Sequence, residues 1–290
     1  MDPVKRSLIT LHLTVVLLGG TALFSQIIPL SARDITLGRS VFACLALFAF
    51  MAVTKTSFRL NSKKDYSIAI ALGILMAMHW VTYFAAMQYA GVSVGMIALF
   101  TFPVITVLIE PFFERSRLSW QDLISAIVVF LGIALIVPEN TLNNDVTLGV
   151  VVGIISAVLY AIRNLVHRQH FSQYSGAKAM AWQILLVCIC LVPLSTGGLP
   201  DAQLSTWGLL IALGTVFTAL PHALIAASLT HLKATTFSLI ACMQPFYGVI
   251  LAVILLGEAP GWKTLLGGIL VTSASVYETV KTHKLAKGAQ

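Results

Sequence analysis

Ten apolar runs follow one another along this chain, each close to the roughly 20 residues that a helix needs to cross a bilayer. They cover about Ser7–Leu30, Ile35–Val53, Tyr66–Ala90, Val92–Phe113, Trp120–Val137, Val146–Val166, Ala177–Leu194, Trp207–Leu229, Ala234–Leu256 and Trp262–Thr282. Gly, Pro and polar clusters set the ends, and the third and fourth runs are joined almost directly at Gly91. A membrane β-barrel would alternate with period two over segments of about ten residues, whereas these runs are unbroken. With 58% hydrophobic residues, 10% charged residues and a mean hydropathy of +0.92, little is left for a soluble domain. The sequence predicts an all-α polytopic membrane protein. Cys44, Cys188, Cys190 and Cys242 lie inside apolar runs and read as small core residues, with no disulfide framework or metal site indicated. The first run continues through Gln26 and Pro29 without a small-residue cleavage site, so it reads as a retained helix.

Charge predicts the orientation. With a cytoplasmic N-terminus, Arg33, Arg39 and Lys263 fall outside and the other fifteen of the 18 Lys and Arg fall inside. Both termini are then cytoplasmic. The net charge of +7 is scattered over separate loops, which speaks against a nucleic-acid surface. Sliding the chain on itself by 142 residues places Pro103 on Pro245, Val107 on Val249, Trp120 on Trp262, Leu123 on Leu265, Ile127 on Ile269 and Val129 on Val271. The fourth and fifth runs thus repeat as the ninth and tenth. Five helices per repeat is an odd number, so the second copy enters from the opposite side. The expected plan is two five-helix inverted repeats, residues 1–140 and 141–290, with a substrate site near the midplane.

The segment Ala234–Gly268 carries Gln244 and Pro245 at mid-helix, Gly257 and Glu258 at the helix end, and Gly267 nine residues after the glutamate. In these features it resembles the penultimate helix of the EamA-type branch of the drug/metabolite transporter superfamily. The first half matches less closely. It keeps Pro103, but Phe113 and Glu114 stand for the Gly-Glu pair, and Gly19 and Gly20 stand where a Trp-Gly pair is common. Arg39 and Thr218 sit where that family tends to have Arg and Thr. The resemblance covers essentially the whole chain. It implies a secondary transporter in a bacterial inner membrane, without cofactor or metal. It leaves the substrate open, because similar members export amino acids or other metabolites while others move drugs, nucleotide precursors or quaternary amines.

No Walker A pattern, His-Glu-x-x-His or Gly-x-Ser-x-Gly elbow occurs, so neither an ATP-driven pump nor a familiar hydrolase is signalled. A carrier's site is marked by ionisable groups at membrane depth, each costing at least about 2.5 kcal/mol unless it faces a wet or paired interior. Arg163, with Tyr160 three residues earlier and Asn164 beside it, suits a carboxylate or phosphate; a snorkelling anchor is the alternative. Arg39 reads as a partner of Asp34, an outer-leaflet anchor or a cavity residue. His79, His222 and Glu110 are candidates for proton coupling, and Arg115 or Arg117 would pair with Glu110 in the other reading. Unwound backbone is tolerated where it lines a cavity, so the hinge prolines Pro103, Pro221 and Pro245 point to their neighbours as substrate contacts. Those are Phe100, Thr101, Phe102, Thr218, Gln244 and Tyr247, to which Trp80 and Tyr83 are added. The pairs Gly91/Gly95 and Gly149/Gly153 read as close-packing faces within the bundle, with a weak dimer contact as the alternative.

The expected partners are a small-molecule substrate and the lipid bilayer. Hydrophobic or aromatic amino acids fit best, moved outward by rocking of one repeat against the other. Arg163 would take the carboxylate, Gln244, His222 or Asn164 the amine, and the aromatic set the side chain. A quaternary cation in an aromatic cage is the alternative, opposed by a deep guanidinium and two imidazoles. A membrane-embedded enzyme would need acid–base groups clustered at one depth, and the sequence shows no such cluster.

Overall fold

The computed structural model describes residues 3–114, 119–136, 144–222, 224 and 241–288. Its principal helices are α1 (Pro3–Gly20), α2 (Ala32–Val53), α3 (Lys63–Leu99), α4 (Phe102–Glu114), α5 (Trp120–Ile136), α6 (Asp145–His170), α7 (Gly176–Leu191), α8 (Leu204–Gly214), α9 (Gln244–Leu256) and α10 (Trp262–Gly288). Among the described residues helix falls on all ten apolar runs, and six helical segments are long and apolar enough to cross a membrane. Residue 137 of the fifth run, residues 223 and 225–229 of the eighth and residues 234–240 of the ninth lie outside the described residues, as do Arg115 and Arg117.

Local sequence explains where these helices start and break. Ser31, Ser62, Asn144 and Ser175 cap α2, α3, α6 and α7 by accepting the backbone N–H three residues on. The 37-residue α3 contains the third run and the start of the fourth, divided at Gly91, whose φ of +80° belongs to the left-handed region that glycine enters freely. The fourth run breaks at Phe100 and Thr101 and resumes as α4, with Pro103 in its first turn. After α8 the chain makes a π-helical turn over Thr215–Ala219. Pro221 explains that turn: it has no N–H for the Phe217 carbonyl and its ring crowds that oxygen. The Phe217 oxygen instead accepts the Thr21 hydroxyl at 3.1 Å, from a 3₁₀ turn that continues α1.

Packing between helices reveals the symmetry. The contact of α1 with α9 has its counterpart in α6 with α4, and α2 with α8 has its counterpart in α7 with α3. The contacts α2 with α7 and α5 with α10 map onto themselves. A two-fold relation between helices one to five and six to ten produces this pairing, as inverted repeats require. Outward faces are apolar, with Leu45 61%, Phe130 72% and Ile254 69% exposed, as expected where lipid is the solvent.

Loops gather at two ends. At one, Lys178 Nζ donates to the Arg59 carbonyl at 2.5 Å, Trp182 Nε1 to that of Phe58 at 2.9 Å, and Tyr174 Oη to Asp65 at 2.7 Å. Arg168–Glu110 and Lys281–Asp122 ion pairs belong to the same end. At the other, Asp34 accepts from Ser31, from Ser195 at 2.7 Å, and from both the backbone and the hydroxyl of Thr196. Glu258 there accepts from the Val92 N–H at 2.6 Å and from the Ser93 N–H and hydroxyl.

Candidate functional site

Buried and half-buried side chains from five helical passages meet in the interior. From α3 come His79, Trp80 and Tyr83, from α6 Ser156, Tyr160, Arg163 and Asn164, from α2 Arg39, from α7 Gln183, and from the segment after α8 His222. His79 and Ser156 join α3 to α6. The Ser156 hydroxyl donates to the His79 carbonyl at 2.9 Å, while His79 Nδ1 lies 2.8 Å from that hydroxyl and 3.1 Å from the Ser156 carbonyl. A carbonyl only accepts, so Nδ1 carries the proton, and in the neutral imidazole Nε2 is left with a lone pair. Tyr160 stacks on the His79 ring at 4.6 Å and meets Phe102 edge-on at 4.8 Å; Phe102 in turn meets Phe100. An aromatic wall therefore runs from the break in the fourth passage to the imidazole.

Two guanidinium groups are buried in the same interior. Arg163 is buried about two turns before the end of α6 and faces inward, donating from Nε to Gln183 at 2.7 Å and from Nη1 to Asn164 at 2.9 Å, with Nη2 3.3 Å from the Met180 sulfur. Its head is held inside the bundle and does not reach the headgroups. Arg39 is buried as well, its guanidinium 4.0 Å from the centre of the Trp80 ring and 5.2 Å from that of Phe84. It is neither a partner of Asp34, whose oxygens are taken by Ser31, Ser195 and Thr196, nor an outer-leaflet anchor. Both guanidinium groups act electrostatically on His79 and on His222.

Other expected residues are placed elsewhere. Gln244 donates to the Leu18 carbonyl at 3.3 Å and the Tyr247 hydroxyl meets His12 Nδ1 at 3.2 Å, so both are engaged with α1. The hydroxyls of Thr101 and Thr218 donate to the Ala98 and Leu213 carbonyls within their own broken helices. Glu110 pairs with Arg168 at 2.5 Å. Pro245 is buried in the first turn of α9, where Gly248 and Gly19 let α1 and α9 approach. Sequence reasoning missed Ser156 and Gln183. Gln183 had a signal, as the one strongly polar side chain at the middle of apolar α7. An open cleft of about 370 Å³ between α5 and α10, lined by Trp120, Ser125 and Tyr277 among others, is formed by different helices and holds no charged side chain.

Ten helical passages, a two-fold plan and an interior polar site between the halves are what a carrier needs. The model of the EamA-like transporter family matches residues 5–137 and again 147–277. The chain belongs to the EamA-like transporter family. It is a multi-pass membrane protein and a transporter, as the names of its relatives also indicate. An uncharacterised transporter of Bacillus subtilis, YxxF, is 24% identical over 95% of this chain and 90% of its own length. The pseudopaline exporter CntI of Pseudomonas aeruginosa is 23% identical over 85% of this chain and 86% of its own. The biotin transporter of Escherichia coli is 23% identical over 80% and 79%. A solved crystal structure covers 97% of this chain and 99% of its own with a TM-score of 0.65 at 15% identity, which shows the shared fold. In this EamA-like chain, Gly257 and Glu258 serve the connection at the Asp34 end: Gly257 turns left-handed at φ +68° and Glu258 caps the helix that restarts after Gly91.

Proposed function

We propose that this transporter exports small carboxylate-bearing metabolites, with hydrophobic or aromatic amino acids as the first class to test. It would sit in a bacterial inner membrane with both termini cytoplasmic, working by rocking of residues 1–140 against 141–290. The observation that carries the reading is Arg163: a buried guanidinium positioned by Gln183 and Asn164, with no carboxylate of the described residues beside it. A planar fork held this way suits a carboxylate, and an isolated buried charge is costly until an anion arrives. Tyr160, His79 and Phe102 offer the aromatic surface that an apolar side chain would cover. Export is supported by the relative named as an exporter. Any substrate with net negative charge is also driven outward by an inside-negative potential, worth about 2.3 kcal/mol per charge per 100 mV.

Thermal shift of the purified protein with amino acids, simple carboxylates and quaternary amines tests this, since a ligand bound only by the folded state raises its stability. Carboxylate-bearing ligands should stabilise the parent, and Arg163→Ala should weaken them by between about tenfold and a hundredfold, the worth of a charged hydrogen-bonded pair. Stabilisation by quaternary amines alone would overturn the carboxylate reading in favour of an aromatic cage.

His79 and His222 are the two imidazoles of the interior site, and the groups through which this carrier would couple to protons. Flux at about pH 5.5 and 7.5 should differ several-fold in the parent, and His79→Ala or His222→Ala should flatten that difference. An unchanged pH response in both variants would remove histidine from the mechanism.

A further inference from the structure

Arg163 and Arg39 are served very differently by the protein. Arg163 has Nε, Nη1 and Nη2 engaged by Gln183, Asn164 and Met180. Arg39 is 4% exposed, and its Nε, shielded from solvent, meets no hydrogen-bond acceptor among the described residues. The Tyr83 hydroxyl is equally shielded and equally without a partner. These two groups are neighbours: the Arg39 guanidinium lies 4.0 Å from the centre of the Trp80 ring and 5.2 Å from that of Phe84, and the Tyr83 and Phe84 rings meet edge-on at 5.3 Å. Buried donors are normally satisfied, and a cation–π contact does not use the N–H groups at the edge of the fork.

The charge balance is also open. Among the described residues Asp34, Asp65, Glu110, Asp122 and Glu258 are each engaged at one end of the bundle or the other. None pairs with Arg39 or Arg163. The one carboxylate of a hydrophobic amino acid would answer Arg163 and leave Arg39 unanswered, whereas two anionic groups on one ligand would answer both.

We propose that Arg39 and the Tyr83 hydroxyl form a second anion subsite beside Arg163, so that the preferred substrate carries two anionic groups, as a dicarboxylate or a dicarboxylic amino acid does. This rests on Arg163 being a carboxylate anchor and narrows the substrate class. In a dicarboxylic amino acid the ammonium would be met by the lone pair on His79 Nε2, the nitrogen left unprotonated by the bond to Ser156.

The test is isothermal titration of the full chain in mild detergent with α,ω-dicarboxylates from malonate to adipate, each against the monocarboxylate of equal length. L-glutamate is compared with L-norvaline in the same way. One dicarboxylate length should bind at least about tenfold more tightly than its monocarboxylate, the gain of one more charge-assisted contact. Arg39→Gln should erase that preference, bringing the dicarboxylate down to its monocarboxylate, and Tyr83→Phe, which keeps the ring and the fold, should reduce it several-fold. Equal affinity for the two series in the parent, with monocarboxylate binding lost in Arg163→Ala, would overturn the second subsite and leave the first standing. No binding of either series would sink both. A preference that survives Arg39→Gln and Tyr83→Phe would also overturn the assignment.

Discussion

Gly149→Val is expected to leave little folded protein. A Cβ at this position lands on the Ala90 Cβ and stands 2.8 Å from the Ala86 carbonyl oxygen and 2.9 Å from the Ala90 amide nitrogen. Two of those three atoms are backbone, so no side chain on α3 can rotate away; the helices must separate. Close approach through small residues is what holds membrane helices together when lipid is as apolar as the core. The same α3–α6 contact carries the His79–Ser156 bonds, so separation would also undo the candidate site. Overpacking costs about 1–3 kcal/mol and more where backbone has to move, and we expect a loss above about 3 kcal/mol. The check is the melting temperature and the monodisperse fraction in mild detergent, with Gly208→Val as control because a Cβ there meets nothing within 4 Å. A melting temperature within about 2 °C of the parent would show that this crossing tolerates a wider gap.

The second large effect is expected at the opposite side of the same break. Glu258→Ala removes the acceptor for the Val92 N–H, the Ser93 N–H and the Ser93 hydroxyl, three donors at the start of the helix that follows Gly91. A carboxylate at a helix N-terminus both satisfies orphan N–H groups and meets the positive end of the dipole. Hydrogen bonds to a charged group are worth about 1.5–3 kcal/mol, so a loss of about 2–4 kcal/mol is expected in thermal or denaturant unfolding. Glu258→Gln, which keeps one acceptor oxygen, should recover part of it. A double-mutant cycle with Ser93→Ala should return a coupling of about 1 kcal/mol; strict additivity would mean that the cap is not made in solution.

Glu258 illustrates how far the sequence reaches. The Gly-Glu pair was legible as part of a family-like segment, and its place at a helix end followed from Gly257. That the carboxylate crosses to the other repeat and restarts the fourth passage was not legible, because nothing local to Val92 and Ser93 marks a distant acceptor. Arg163 and Arg39 show the same limit. Both stood out because a charge at membrane depth is costly. Only the packing separates an Arg163 held by Gln183 and Asn164 from an Arg39 lying on Trp80 with its Nε unpaired. Gln244 and Tyr247 were grouped with the site because they flank Pro245, yet their hydrogen bonds run to α1. Glu110 was matched to Arg115 or Arg117 nearby in sequence, and its partner is Arg168 on α6.

By itself the sequence determined that the chain crosses a membrane as helices, roughly where along the chain they lie, that Gly91, Pro103 and Pro221 mark interruptions, and that the second half repeats the first upside down. Run length, backbone chemistry and an odd helix count are properties of the chain alone. Tertiary structure decided which face of each helix meets protein and which meets lipid. Both environments are apolar, so the periodicity that marks the buried side of a soluble helix is weak here. The convergence of Arg39, His79, Tyr83, Ser156, Arg163 and Gln183 therefore had to come from packing.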